Sequence, residues 1–426
     1  MRQSRLALLV FVLVLAVLAA AMAYVLLSSS PSPPRIGSYT FEVRYSNLNW
    51  VDALAFAPDG RIFFAERLSG SIRIIRGGSL LPTPFFSFAN VDFTGERGLL
   101  GLALAPGFPQ DPWMYAYYTH HDTANDTFEN RIVKVQASGD NGTAMQILLD
   151  GIPSATIHNG GVIVFGPDGK LWVVVGDGAV PSSAQDLSAL TGKVLRLNPN
   201  GSVPSDNPFA GNASANPYVY SYGHRNMFGI AFHPVTHSAY VTENGPSDSD
   251  EINLLVAGGN YGWPIVRGIA HTPPYLDPVL AYTPVIVPTN AVFYTGSVYG
   301  LLEGDLLFGD YANHRLHDLE LAPPDYDVVT IDSTVATVPS GIVGVAQSPD
   351  GYVWVTTASA MYRLVPVTGP AAAQAALPIA FCGLAVPASP RNLSKGHAVP
   401  TRNAGVPHRE RGPPQGVPRA VVRNPA

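Results

Sequence analysis

The chain has a single cysteine, Cys382, in 426 residues. No intramolecular disulfide is therefore available, and the fold must be held by its core and by any metal it binds. Charge is also scarce: Asp, Glu, Lys and Arg supply 13% of the residues, against roughly 25% in an average soluble domain. The formal net charge is −6. With no basic stripe interleaved with aromatics in the body of the chain, nucleic acid is excluded as a partner. Helical periodicity is nearly absent after Leu27. What the chain has in quantity is turn-forming residues, 41 Gly and 39 Pro, a balance that favours many short strands joined by turns.

The one long apolar run lies at the start. Arg2 and Arg5 precede an uninterrupted stretch over 6–27, long enough to cross a hydrocarbon core that needs roughly 20 helical residues. Residues 1–27 read as a transmembrane anchor, with Ala21-Met22-Ala23 marking the alternative of a cleaved signal peptide. Either way the leading arginines place the rest of the chain on the extracytoplasmic side. A Ser/Pro linker follows over 28–34, and the folded body is expected over 35–368. Residues 369–426 turn to Ala, Pro, Gly and Arg and read as a disordered tail or as non-native coding.

The body repeats itself. A strand, a Pro-Asp-Gly-like turn and two further strands recur over 51–78, 98–135, 162–197, 230–255, 291–321 and 342–365. The turns are plainest at Ala57-Pro-Asp-Gly60, Gly166-Pro-Asp-Gly169 and Ser348-Pro-Asp-Gly351. Strands such as Lys170-Leu-Trp-Val-Val-Val175 carry the β-branched and aromatic bias of buried sheet. Repeats of this size, each too small to bury its own faces, predict an all-β, six-bladed β-propeller. The rival, a pair of β-sandwiches, leaves the recurring turn unexplained.

Three dense motifs fall around units three and four, in the segment that begins at His158. His158-Asn-Gly-Gly161 is followed by Gly223-His-Arg-Asn226, and that by Glu243-Asn-Gly-Pro246 with Asp250-Glu-Ile-Asn253 and Asn260-Tyr-Gly-Trp-Pro264. A lone histidine is more often structural. Here His158 and Arg225 occupy corresponding loops one unit apart, and propeller loops converge on one end of the axial channel. An imidazole in such a place takes a proton from an alcohol, and a guanidinium beside it steadies the resulting negative charge. Asn226 is placed to orient either. The loop over 244–251 is either a solvated acidic turn or a calcium site built from hard oxygens. Asp177 and Asp186 are weaker acidic candidates, each equally explained as a turn cap.

In this order, together with Glu96-Arg-Gly-Leu-Leu-Gly-Leu102 and Gly192-Lys-Val-Leu-Arg-Leu-Asn198, the motifs resemble the soluble pyrroloquinoline-quinone-dependent glucose and aldose sugar dehydrogenases, the glucose/sorbosone dehydrogenase family. The resemblance implies a quinoprotein oxidising an aldose to its lactone. His158 would be the general base and Arg225 its catalytic partner. Arg225, Asn226 and Tyr261 would contact the cofactor, and Gly245, Pro246 and Asp250 would hold calcium. Members of the family grip the quinone's carboxylates with a lysine and arginines of the fifth unit. Phe293-Tyr-Thr-Gly296 offers no lysine, which leaves Arg315 as the guanidinium there. The resemblance names no electron acceptor and allows a homodimer. Two other readings fit the same residues: a cofactor-free surface module binding carbohydrate or protein, and a calcium-dependent lactonase.

Overall fold

The computed structural model describes residues 39–367. The expected anchor or signal segment (1–27), the linker (28–34), the tail (369–426) and Cys382 lie outside the described residues. Among those described there is no α-helix, only 3₁₀ turns at Pro181–Gln185 and Gly300–Leu302. None is long and apolar enough to cross a membrane.

The described chain is a six-bladed β-propeller of antiparallel sheets. The inner strands of the blades are Val51–Phe56, Leu99–Leu104, Ile163–Phe165, Met227–Phe232, Pro288–Phe293 and Gly344–Gln347. Each expected unit coincides with the three inner strands of one blade. The Pro-Asp-Gly turns link first to second strand with one shared geometry. Gly60, Gly169 and Gly351 have φ of +87°, +69° and +82°, and their N–H groups close turns onto Ala57, Gly166 and Ser348 at 3.0, 2.9 and 2.9 Å. A left-handed residue at that place is what a three-residue hairpin with its bulge requires, and glycine adopts it without strain.

The outer fourth strands escape the sequence reading. One reason is exposure: Asn141–Pro153 is largely exposed along its length, with Met145 and Ile147 on the surface and Ile152 its one fully buried residue. The other is connectivity. The sixth blade takes its outer strand from the start of the described chain, Tyr39–Ser46, which pairs antiparallel with Ala360–Pro366. A closed ring leaves no blade at an open end, so every inter-blade face is buried.

Six apolar clusters fill the six faces between successive blades. The third and fourth blades, for example, meet through Val174, Val194, Met227, Ile230 and Val241, with the Trp172 ring edge-on to Tyr220 and Phe232. Polar ties join the same faces nearer the axis: Thr242 Oγ1 donates to Thr289 O (2.7 Å), Thr289 Oγ1 to Ile342 O (2.9 Å) and Thr356 Oγ1 to Val51 O (2.8 Å). The inner strands are thus locked in angle around the axis, and their loops are held at fixed separations.

Leu364 is fully buried between the fifth and sixth blades, in a cluster that Tyr39 and Phe41 of the outer strand also pack against. Leu364→Ala is expected to cost ~2–5 kcal/mol in urea unfolding. A loss below about 1 kcal/mol would show that the sixth blade is not closed by the Tyr39–Ser46 strand.

Candidate functional site

All six inner strands start at the same end of the propeller, and there the loops enclose a cavity of about 460 Å³. Its lining includes Asp52, Arg67, Glu96, His158, Arg225 and Asn226 together with Asn244 and Gly245. Further along the axis a second cavity, about 480 Å³, is lined by the inner strands of every blade and carries no titratable side chain. Chemistry that needs proton transfer or charge therefore belongs to the first.

His158 is held from three sides. Its φ of +61° is left-handed, a strained choice for a residue with a side chain. Its backbone N–H donates to Glu96 Oε2 at 2.6 Å, and its carbonyl accepts from Gly178 at 3.1 Å. A Cβ at Gly176 would lie 2.3 Å from that same carbonyl oxygen, so glycine is required for the close approach. The ring Nδ1 lies 2.7 Å from Oδ1 of Asp177, whose side chain is fully buried. Asp177 also accepts from the Ala179 N–H and from the indole N–H of Trp263, both at 2.8 Å. Those two groups can only donate, so Asp177 is an acceptor and Nδ1 carries the imidazole proton. In the neutral ring the lone pair, and so the basic nitrogen, is then Nε2.

Arg225 and Asn226 follow one blade on. The Arg225 backbone N–H donates to Glu243, and its Nη1 donates to the carbonyls of Asn244 (2.7 Å) and Gly245 (2.8 Å). Burial holds this guanidinium's pKa below its ordinary value, against the pull of Asp177, Glu243, Glu96 and Asp250. Its Nε and the side-chain oxygen of Asn226 are buried without a hydrogen-bond partner among the described residues. The other half of the motif is wiring. His224 is fully buried, bonded to Glu243 at 2.8 Å and to Ser221 at 2.9 Å.

The 244–251 loop is solvated only at its tip, Pro246 and Ser247, and its two ends are buried. Asp250 is 1% exposed, with Oδ1 accepting from Gly245 N–H and Oδ2 from Ile286 and Val287 N–H, all at 2.7 Å. Burial raises its pKa in spite of these three donors. In this structure Asp250 therefore shapes the loop, and the oxygens that converge on a common point are the carbonyls of Asn244 and Gly245. A Cβ at Gly245 would lie 2.2 Å from Asp248 O, so only glycine permits the fold of this loop. Pro246 borders a small crevice behind Arg225. Among the described residues, no group of three or more His, Cys, Asp or Glu side chains is arranged to hold a metal; any cation here would rest chiefly on backbone oxygen.

Two expected cofactor contacts are not brought to the cavity. Tyr261 is buried behind it, its ring stacked on His224 at 4.6 Å, its hydroxyl donating to Leu254 O at 2.6 Å and accepting from Val256 N–H at 2.9 Å. It sits inside the Asn260–Pro264 motif but points into the core. Arg315 opens a strand of the fifth blade as an exposed residue and does not line the cavity. Asp186 is a surface turn cap on Ser188. Conversely, Asp177 both caps its turn at Ala179 and holds the base, and Asp52 and Arg67 enter from the first blade, where no motif marks them. Burial pushes the Asp52 carboxyl up to about 7, against the Arg67 charge.

Comparison with known proteins points one way. The glucose/sorbosone dehydrogenase family model matches residues 48–365. The chain is 30% identical over 346 residues to the aldose sugar dehydrogenase YliI of Escherichia coli K12, covering 77% of this chain and 92% of that protein. It is 37% identical over 256 residues to quinoprotein glucose dehydrogenase B of Acinetobacter calcoaceticus, covering 53% and 52%. Among solved structures, the aldose sugar dehydrogenase of Streptomyces coelicolor in its PQQ-bound form superposes with a TM-score of 0.66 at 27% identity, covering 78% of this chain and 99% of that one.

Removing the Asp177 carboxylate leaves the N–H groups of Ala179 and Trp263 and the His158 ring without their acceptor. Asp177→Ala is therefore expected to lower stability by ~1–3 kcal/mol in urea unfolding. An unchanged midpoint would mean these three contacts do not form in solution.

Proposed function

Because the chain belongs to the glucose/sorbosone dehydrogenase family, we propose that it is an aldose dehydrogenase. His158 takes the hydroxyl proton of the sugar as the sugar is oxidised to its lactone, with pyrroloquinoline quinone and calcium as cofactors. The observation that carries this is a base already set for its task. Nδ1 of His158 is fixed by buried Asp177, on the wall of a cavity that also presents Arg225 and the Asn244 and Gly245 carbonyls.

The residues fit the cofactors. The cavity volume of about 460 Å³ lies within the range usual for small-molecule sites, roughly 300–1,000 Å³. Arg225 supplies a guanidinium suited to a carboxylate, and Asn226 a buried oxygen with no partner among the described residues. The carbonyls of Asn244 and Gly245 converge on Arg225 Nη1; neutral oxygens of this kind suit calcium, and an ion bound there would take the place of that nitrogen and free Arg225 for the ligand. Bound there, the quinone with its calcium would supply the two-electron acceptor for the hydride leaving the sugar carbon.

The chain's own part is proton handling and orientation. Nε2 of His158 accepts the hydroxyl proton, and the Asp177 carboxylate faces the imidazolium that results. Because Trp263 and Ala179 anchor Asp177, the ring need not reorient as charge develops. Arg225 steadies negative charge on the sugar oxygen. Leu100, Val162, Phe228, Val287 and Val343 line the remaining walls and limit the water that competes for the base. The named activities of the Escherichia coli and Acinetobacter relatives support this substrate class, and the apolar run behind Arg2 and Arg5 supports an extracytoplasmic location.

The test is dye reduction with an aldose panel, with quinone and calcium each added or withheld. Reduction should require the sugar and both cofactors. His158→Asn, chosen because asparagine tolerates left-handed φ, should lower kcat roughly 10²–10⁴-fold while the protein stays folded, with a melting temperature that falls no further than that of Asp177→Ala. Sugar-independent reduction, full turnover in the variant, or ester hydrolysis with no electron acceptor present would contradict the assignment; the last result would make the protein a lactonase.

A further inference from the structure

We propose that Arg67, at the mouth of the first blade, grips a carboxylate of the cofactor, in place of the cationic side chains expected from the fifth blade. The proposal rests on the quinone reading above. Arg67 lines the cavity, and its guanidinium lies 4.0 Å over the indole of Trp50. Its backbone N–H donates to Trp50 O at 2.8 Å. Its aliphatic stem crosses Gly98, where an added Cβ would stand 2.3 Å from Arg67 Cγ. The head group is thus posed before any ligand arrives, so little rotamer freedom remains to be lost on binding.

Of the two guanidiniums that line the cavity, Arg225 is hydrogen-bonded to carbonyls and Arg67 makes no side-chain hydrogen bond among the described residues. Its Nε is buried with no partner among the described residues. Arg61, Arg97 and Arg196 are each tied to carboxylates, and Arg225 gives Nη1 to two carbonyls. A planar fork with free donors, stacked on an indole at the edge of a half-enclosed cavity, is matched by a planar carboxylate accepting two parallel hydrogen bonds. Arg315 offers no equivalent, being exposed and outside the lining.

Asp52 makes this grip depend on pH. It lines the same cavity, and the charged groups acting on it are Arg67, which favours its ionised form, and Glu96, which opposes it. With its carboxyl pushed up to about 7, Asp52 is largely neutral below that pH and negative above it. A carboxylate on Arg67 is compatible with the neutral form and repelled by the ionised one. Affinity for an anionic ligand should therefore fall as pH rises through about 7, and Asp52→Asn should remove the fall.

An optical titration of the protein with pyrroloquinoline quinone in calcium tests this directly. The proteins compared are wild type, Arg67→Met, Arg67→Lys, Arg315→Met and Asp52→Asn, at about pH 6 and about pH 8 on either side of the Asp52 transition. Arg67→Met should weaken binding roughly tenfold or more, Arg67→Lys should recover part of the loss, Arg315→Met should bind as wild type, and Asp52→Asn should bind alike at both pH values. Wild-type affinity in Arg67→Met, or a fall in affinity between the two pH values as large in Asp52→Asn as in the wild type, overturns the proposal and leaves the dehydrogenase reading standing. Absence of quinone binding by the wild type overturns both. The other source of a carboxylate is a sugar acid. If Arg67→Met keeps its quinone affinity but loses competitive inhibition by gluconate or glucuronate, Arg67 belongs to the substrate and the cofactor assignment fails.

Discussion

The buried carboxylate of Asp177 is the contact on which the site depends. An ionisable oxygen pair with no exposure is tolerable only when donors surround it, and the donors come from three separate segments. They are the His158 ring from the loop entering the third blade, the Ala179 N–H from its own turn, and the Trp263 indole from the fourth blade. One group thereby sets the tautomer of the base, the direction of its ring and the spacing of two neighbouring blades. The propeller makes this affordable by burying an apolar face on each side of every blade, so the polar ties near the axis do not have to hold the fold together by themselves.

Around that contact the cavity is a balanced field. Glu96 reaches both the His158 N–H at 2.6 Å and the Asn226 side-chain amide at 3.4 Å, so one carboxylate spans loops of three blades. Glu243 accepts from His224, from the Arg225 backbone and from Asn253. Arg225 sits among these carboxylates and yet directs Nη1 at two neutral carbonyls. A guanidinium in that position shows that the Asn244–Gly245 bend is shaped to receive positive charge. Asp250, behind the bend, keeps the peptide groups from turning away.

Much of this was legible in the sequence, for physical reasons that also mark where legibility ends. Inner strands are largely apolar, and in three units they are punctuated by a Pro-Asp-Gly turn that a left-handed glycine closes, so six units could be counted from 51–365. Outer strands such as Asn141–Pro153 carry no such signal, and no local pattern says that Tyr39–Ser46 completes the last blade. His158, Arg225, Asn226 and Gly245 were found because compact loops carry them to a common end of the channel. Tyr261 lies as close to a motif, but side-chain direction decides membership of a cavity, and its ring turns to the core. Asp177 looked like a turn cap and is one; its second bond, to a histidine 19 residues earlier, is invisible without the fold. Asp52 and Arg67 sit singly in ordinary strand and turn context, and only ring closure brings the first blade opposite the third and fourth.

The central claim is that Asp177 presents His158 to the cavity as a base. The most direct measurement is the tautomeric state of the His158 imidazole at neutral pH, from its two ring-nitrogen shifts in a ¹⁵N-labelled sample. The geometry predicts a ring protonated on Nδ1 and bare on Nε2. A ring protonated on Nε2 and bare on Nδ1 would contradict it, since no proton would then lie between the imidazole and Asp177 and the nitrogen facing the cavity could not accept one.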